Sequence, residues 1–220
     1  MGGASPKQYL GIAGRPLLWH TLNALCGHTR IEHVFLVLAS GDTLFARHDW
    51  GDFAARLTPL YCGGATRAAS VFNGLLAARD LMAENDWILV HDAVRPCLRA
   101  AEIDRLSAEL GEDHTGGLLA VPLSDTLKRA SPDARVVRTE PREDLWLAQT
   151  PQMFRYRLLL EALRRSDPGT VTDEASAIEA LGLKPKLVAG DPRNIKVTYP
   201  DDLRLAELIL KSMEAADERR

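Results

Sequence analysis

The stretch "VHDAVRP" (90–96) sets His91, Asp92 and Arg95 where an apolar run gives out into a loop. In open α/β sheets ligands collect at the carboxyl ends of strands. A carboxylate there can hold Mg²⁺ or a ribose hydroxyl, and a nearby arginine can take a phosphate; equally, Asp92 and Arg95 could simply pair on the rim. In "CGGATRAASVFNG" (62–74) Gly63 and Gly64 join the strand-like "TPLYC" to a helix. Two glycines let a backbone approach a ligand closely, and Arg67 and Ser70 fall in the first helical turn, which favours oxygen-rich groups. A plain turn accounts for the same pair. "VTDEASAIEALG" (171–182) opens a helix with Thr172, Asp173 and Glu174, and "DPRNIKVTYPDDL" (191–203) places Lys196 in a short strand before a helix starting at Pro200. Capping explains Thr172 or Asp173 without any function, and a strand lysine is usually solvated. Together these segments supply cations, hydroxyls and one carboxylate, the inventory for moving a nucleotidyl group.

Such groups need a scaffold, and the hydrophobic pattern describes one. "HVFLVLA" (33–39), "WILVHD" (87–92) and "GLLAV" (117–121) are nearly continuous apolar runs, as expected of strands buried on both faces of a parallel sheet. Between and before them, residues 15–28, 66–84 and 100–112 carry apolar residues at helical spacing, with Pro16 suited to a first turn. The expected architecture is α/β: a Rossmann-like, mostly parallel sheet flanked by helices. At 220 residues the chain suits a single domain, 1–220, whose closing "EAADERR" is expected to fray. Residues 122–151 break the rhythm. "SPD" reads as a turn between two extended, charge-rich limbs, a hairpin arm at about 122–148 that protrudes from the sheet. It would expose Leu127, Val136, Val137 and Trp146 unless a partner subunit covered them or the hairpin folded back on its own domain.

Charge and cysteine content exclude several classes. A formal net charge of -3 gives no basic footprint for polymeric nucleic acid, so any phosphate must be met locally. Cys26, Cys62 and Cys97 form no CxxC pair and are odd in number, which argues against a disulfide framework or zinc site and for a reducing cytoplasm. No run approaches the ~20 apolar residues of a membrane span.

The motifs "PKQYL", "GGATRAAS", "HDAVRP", "DTLKR", "LWLAQTPQMF", "TDEASAIEALG" and "NIKVTYPDDL" stand between Pro6 and about Leu208. In order and spacing they resemble the 2-C-methyl-D-erythritol 4-phosphate cytidylyltransferases of the non-mevalonate isoprenoid pathway. The ribitol 5-phosphate cytidylyltransferases are similar at PKQ, TDEAS and the NIK strand. The resemblance implies that CTP and methylerythritol phosphate give the CDP-linked alcohol and pyrophosphate. It also implies roles: Lys7 on the CTP phosphates; Lys196 and Arg142 positioning the acceptor; Asp92 serving Mg²⁺ and the acceptor; Arg95, Thr126 and Thr172 lining the acceptor site; Gly64, Ala65, Ser70 and Ala93 lining the cytidine. Ala65 stands where relatives often carry an acid, so a contact there must come from backbone. Thr126 and Arg142 lie on opposite limbs of the arm, which in this family enters the partner's active site and makes the homodimer part of the mechanism. The family also begins with a strand and a loop of the form PAAGxGxRM, and Met1 falls on its closing methionine. The expectation is a misplaced start or a trimmed chain; otherwise the chain folds without that strand. In that case neighbouring strands keep unpaired backbone groups, each costing roughly 1–3 kcal/mol where buried, and the chain could be a non-catalytic binder of sugar phosphate.

Overall fold

A computed structural model of the chain describes residues 6–167 and 169–217. Met1 and the last three residues of the charged tail lie outside them. A 3₁₀ turn at Lys7–Tyr9 leads into a small antiparallel ribbon, β1 (Gly11–Ile12) and β2 (Arg15–Pro16), and then α1 (Leu17–Cys26), for which Pro16 is the N-cap. There follow β3 (Val34–Val37), β4 (Leu57–Leu60), α2 (Arg67–Ala77), β5 (Trp87–Val90), α3 (Ala100–Leu110) and β6 (Gly117–Pro122). The arm carries β7 (Leu127–Ala130) and β8 (Val136–Glu140), and the chain continues through β9 (Trp146–Arg155), α4 (Tyr156–Arg165), α5 (Glu174–Glu179), β10 (Lys186–Ala189) and α6 (Pro200–Asp217).

The main sheet has the order β10-β6-β9-β5; β10 and β6 are parallel, and β9 runs against both of its neighbours. Along β6 the side chains alternate between layers, as strand geometry demands. Leu119 packs with leucines of α1 and α3, while Leu118 packs with α4 and α5. A third cluster seats α6 against β1 through Ile12, Val197, Ala206 and Leu210.

Three expectations are corrected. Residues 146–151 do not form a free limb of the arm; they open β9, whose pairing with β6 begins at Trp146 opposite Pro122. The arm proper is the β7–β8 hairpin, tied at its base by the Leu123 N–H donating to the Leu145 carbonyl. Lys196 is not in a strand: residues 195–198 are irregular and dock through the Val197 N–H on the Val94 carbonyl. Finally, the run at 87–90 is half-buried at every position instead of buried on both faces.

The cause of that last difference is the edge of β5. Strands β3 and β4 pair with each other, in parallel, and not with the main sheet. The carboxyl ends of β3 and β5 both meet the start of α2, through the Gly63 N–H on the Leu38 carbonyl and an Arg67–Asp92 ion pair, so the two strands run the same way. Val34 and Leu38 donate toward β4, which turns the ladder groups of Phe35 and Val37 away from it. The Tyr156 N–H donates to the Asp86 carbonyl, which by the same alternation turns Trp87 and Leu89 away from β9. Among the described residues neither edge has a partner, and both face a cavity of about 1070 Å³, floored and roofed by Leu18 and Leu22 of α1 and Val71 and Leu75 of α2.

Candidate active site

Asp92 is the second residue beyond the end of β5, where the strand breaks and backbone groups need new partners. Its N–H donates to the Thr150 hydroxyl oxygen at 3.1 Å. Around its carboxylate three cations converge: Arg67 Nε on Oδ1 at 2.9 Å, Lys196 Nζ on Oδ2 at 3.1 Å, and Arg95 Nε 3.5 Å from Oδ2. Burial alone would push the carboxyl up; the Arg67 guanidinium and Lys196 ammonium outweigh it and hold Asp92 at about 2. Arg95 also donates to the Asn194 carbonyl at 2.7 Å, and burial lowers its pKa.

Two segments far apart in the chain meet here. Lys7 Nζ donates to the Thr198 carbonyl at 2.8 Å, two residues beyond Lys196. That turn is held by Asp202, which accepts the N–H groups of Thr198 and Tyr199 at 2.7 Å each. The Lys196 side chain remains 45% exposed, so its ammonium is tethered to Asp92 yet open to solvent.

At the start of α2, Thr66 caps the helix by accepting the Ala69 N–H at 3.1 Å. Gly64 packs so closely on this turn that a Cβ there would lie 2.6 Å from that of Ala69. The Ser70 hydroxyl accepts the Gly64 N–H at 3.0 Å and donates to the Thr66 carbonyl at 2.9 Å, so it holds the loop. Gly64 and Ala65 are exposed, and the Ala93 carbonyl accepts from the Thr21 hydroxyl at 3.0 Å. Thr172 is exposed beside α5.

The structure thus brings Lys7, Asp92, Arg95 and Lys196 together, with Gly64, Ala65, Ser70, Ala93 and Thr172 on adjoining segments. Thr126 and Arg142 stay on the arm: Thr126 is exposed, and Arg142 donates to the Ser124 carbonyl. Arg67, read from the sequence as a group for oxygen-rich ligands, is spent internally on Asp92 and Glu174.

The sequence reading missed the polar groups that hold the site from below. Between Leu118 and Ala120 the β6–β9 register shifts, leaving Gln149, Thr150 and Pro151 in a bulge, where a proline is tolerated and side chains are re-aimed. Gln149 donates to the Asp191 carbonyl, Asn194 donates to the Thr150 carbonyl, and Thr150 meets His91 Nδ1 at 2.9 Å. Gln152 accepts the Ala175 N–H and donates to Asp173, each at 2.8 Å. The available signal was "QTPQ" inside an apolar strand, since buried polar side chains are there to make hydrogen bonds.

Among the described residues no group of three or more His, Cys, Asp or Glu is arranged around a metal position. Asp92 offers one carboxylate already shared among cations. That donor set fits an Mg²⁺ bound mainly by the phosphates of a nucleotide, with at most one protein oxygen.

A family model described as 2-C-methyl-D-erythritol 4-phosphate cytidylyltransferase matches residues 1–212. Proteins of that name from Nitrosospira multiformis and Dechloromonas aromatica are each 59% identical, over 96% of this chain and 92% of theirs. A crystal structure of 4-diphosphocytidyl-2C-methyl-D-erythritol synthase superposes with a TM-score of 0.86 at 42% identity, covering 93% of this chain and 95% of the other. The cytidylyltransferase of Francisella tularensis does so at 0.81 and 34% identity, over 94% of each. Among the described residues no helix is long and apolar enough to cross a membrane.

Proposed function

This chain belongs to the 2-C-methyl-D-erythritol 4-phosphate cytidylyltransferase family, and on that premise we propose that the cluster around Asp92 is where it works. The chain is a nucleotidyltransferase: it moves a cytidylyl group from CTP to methylerythritol phosphate, giving 4-diphosphocytidyl-2-C-methyl-D-erythritol and pyrophosphate. The ribitol phosphate alternative is not favoured by these relatives.

In this reading the phosphate oxygen of the acceptor attacks the α-phosphorus of CTP in line with departing pyrophosphate, so the protein's contribution is positioning and charge stabilisation. The observation that carries it is the meeting of Lys7 with the 196–198 segment beside Asp92. Lys7 faces the CTP phosphates. Lys196 passes from Asp92 to the acceptor phosphate, with Arg95 and Thr172 beside it, while the exposed backbone of Gly64 and Ala65 and the nearby Ser70 and Ala93 receive the cytidine. Mg²⁺, held mostly by the nucleotide with Asp92 as its protein ligand, would offset the triphosphate charge. Persistent turnover in excess chelator would count against it. Residues 1–220 act as one domain in the cytoplasm, a location supported by three free cysteines. The arm between Leu123 and Leu145 joins two chains and brings Thr126 and Arg142 to the partner's site; the exposed Val136 and Val137 support this.

Lys7→Ala and Lys196→Ala should each lower kcat about 10²- to 10³-fold, as for loss of one preorganised donor, with the melting temperature nearly unchanged. Turnover near that of the parent in both variants overturns the assignment. The same Lys7→Ala chain tests the arm. Mixed with Arg142→Ala chains under full subunit exchange, it should recover part of the activity, because one site of the heterodimer keeps both residues. A mixture as inactive as its parents overturns the shared site.

A further inference from the structure

Two charged groups of the cluster have no task in the reaction as described: Arg67 and Glu174. Glu174 opens α5 with its side chain only 1% exposed, where a carboxylate cannot be solvated. Both its oxygens are held by one guanidinium, Nη1 at 2.6 Å and Nη2 at 2.9 Å. The third nitrogen of the same planar fork, Nε, donates to Asp92 Oδ1 at 2.9 Å. The other oxygen of Asp92 is the one that meets Lys196. A single line of contacts therefore runs Glu174–Arg67–Asp92–Lys196 through four separate segments of the chain.

Each joint in that line is fixed from outside. Gln152 holds the first residues of α5, Thr66 caps α2, and Thr150 takes the Asp92 N–H. A guanidinium held through all three nitrogens by two carboxylates has little freedom to turn, which a lysine ammonium on a flexible stem would not match. Stability does not account for the arrangement, because replacing a buried ion pair with apolar residues of similar volume is often neutral or stabilising. Geometry does account for it: the fork holds Oδ1 of the Asp92 carboxylate, which leaves Oδ2 facing Lys196 at 3.1 Å, with Arg95 at 3.5 Å.

We propose that Arg67 and Glu174 are positioning residues for cytidylyl transfer: Glu174 locks the Arg67 fork, and Arg67 sets the Asp92 carboxylate that holds the Lys196 ammonium where the phosphate arrives. The proposal rests on the reading of Asp92 and Lys196 given above.

The test compares Arg67→Met/Glu174→Leu, which removes both charges together, with Asp92→Asn and Arg67→Lys. The double variant should melt within a few degrees of the parent, yet lose about tenfold to a hundredfold in kcat, the scale of a roughly 1 Å misplacement, while KM for CTP changes less than about threefold. Arg67→Lys keeps the charge and folds beside Glu174, but lacks the fork, and should lose kcat in the same direction. Parental kcat in the double variant or in Arg67→Lys, with Asp92→Asn inactive, overturns the positioning role and leaves the site reading standing. So does a loss confined to KM. Parental kcat in Asp92→Asn overturns the site reading beneath it.

Discussion

Strands β5 and β9 lie side by side and pair residue for residue, yet three of the four pairs, from Ile88–Phe154 to Val90–Gln152, differ in burial. Ile88 and Phe154 are direct cross-strand partners, yet Phe154 is wholly buried while Ile88 is half-buried. The sequence favours the opposite outcome, because "WILV" is uniformly apolar and "QTPQMF" is not. The difference comes from neighbours: β9 has β6 on its other side, whereas β5 looks across the cavity at the unpaired edge of β3. A strand's own composition says that it can be buried, and the strands beside it decide whether it is.

The comparison breaks most readily in the core. Phe154→Ala should cost about 3–5 kcal/mol, the usual range for a fully buried phenylalanine, and Ile88→Ala only about 1–2 kcal/mol, since part of its surface is still wet. Urea unfolding of the two variants measures both, and equal losses would mean that the β5 edge is as well covered as β9.

A smaller effect tests the place where β9 does cover β5. Burial pushes His91 down to about 4, and Thr150 of β9 meets its Nδ1 while the Arg95 carbonyl meets Nε2. A group depressed on folding contributes stability that is complete above its unfolded value near 6.5 and lost as pH falls through about 4. Because the ring also borders the cavity, the expected loss between pH 7 and pH 4.5 is discounted to about 1–2 kcal/mol. His91→Gln should flatten that part of the pH profile; an unchanged slope shows that His91 is not its source.

The finest test is within β5 itself. Trp87 and Leu89 turn their ladder groups to the cavity, and Ile88 and Val90 turn theirs to β9. Amide hydrogen exchange should alternate along the strand, faster by about tenfold or more at Trp87 and Leu89. Uniform protection across the four would show that the facing edges are joined.

Much of the site could be read from residue types in order. Asp92 and Arg95 followed from the general rule that ligands gather at strand ends, whereas Lys7 and Lys196 joined them only through the family resemblance of the motifs that hold them. Arg67 and Glu174 were visible as residues but not as a pair, because they are 107 positions apart and each has a local explanation, a helix first turn in both cases. Gln149 and Thr150 were hidden for another reason. Their segment reads as the limb of an arm, and only the register shift against β6 reveals that they point at Asp92 and Asn194.

By itself the sequence determined the local matters: which runs are apolar, that Thr172 or Asp173 caps a helix, where the chain turns at Ser131–Asp133, and which ionisable groups are available for a phosphate. These follow from interactions within a few residues, which periodicity and capping chemistry report directly. Tertiary structure alone decided that β9 enters the sheet antiparallel, that β5 keeps an open edge, that Lys196 sits in an irregular segment, and that Arg67 is committed to Glu174. Each of those depends on which distant segment becomes the neighbour, and the energy that decides it, shared ladder hydrogen bonds and burial between strands far apart in the chain, leaves no periodic mark on either partner.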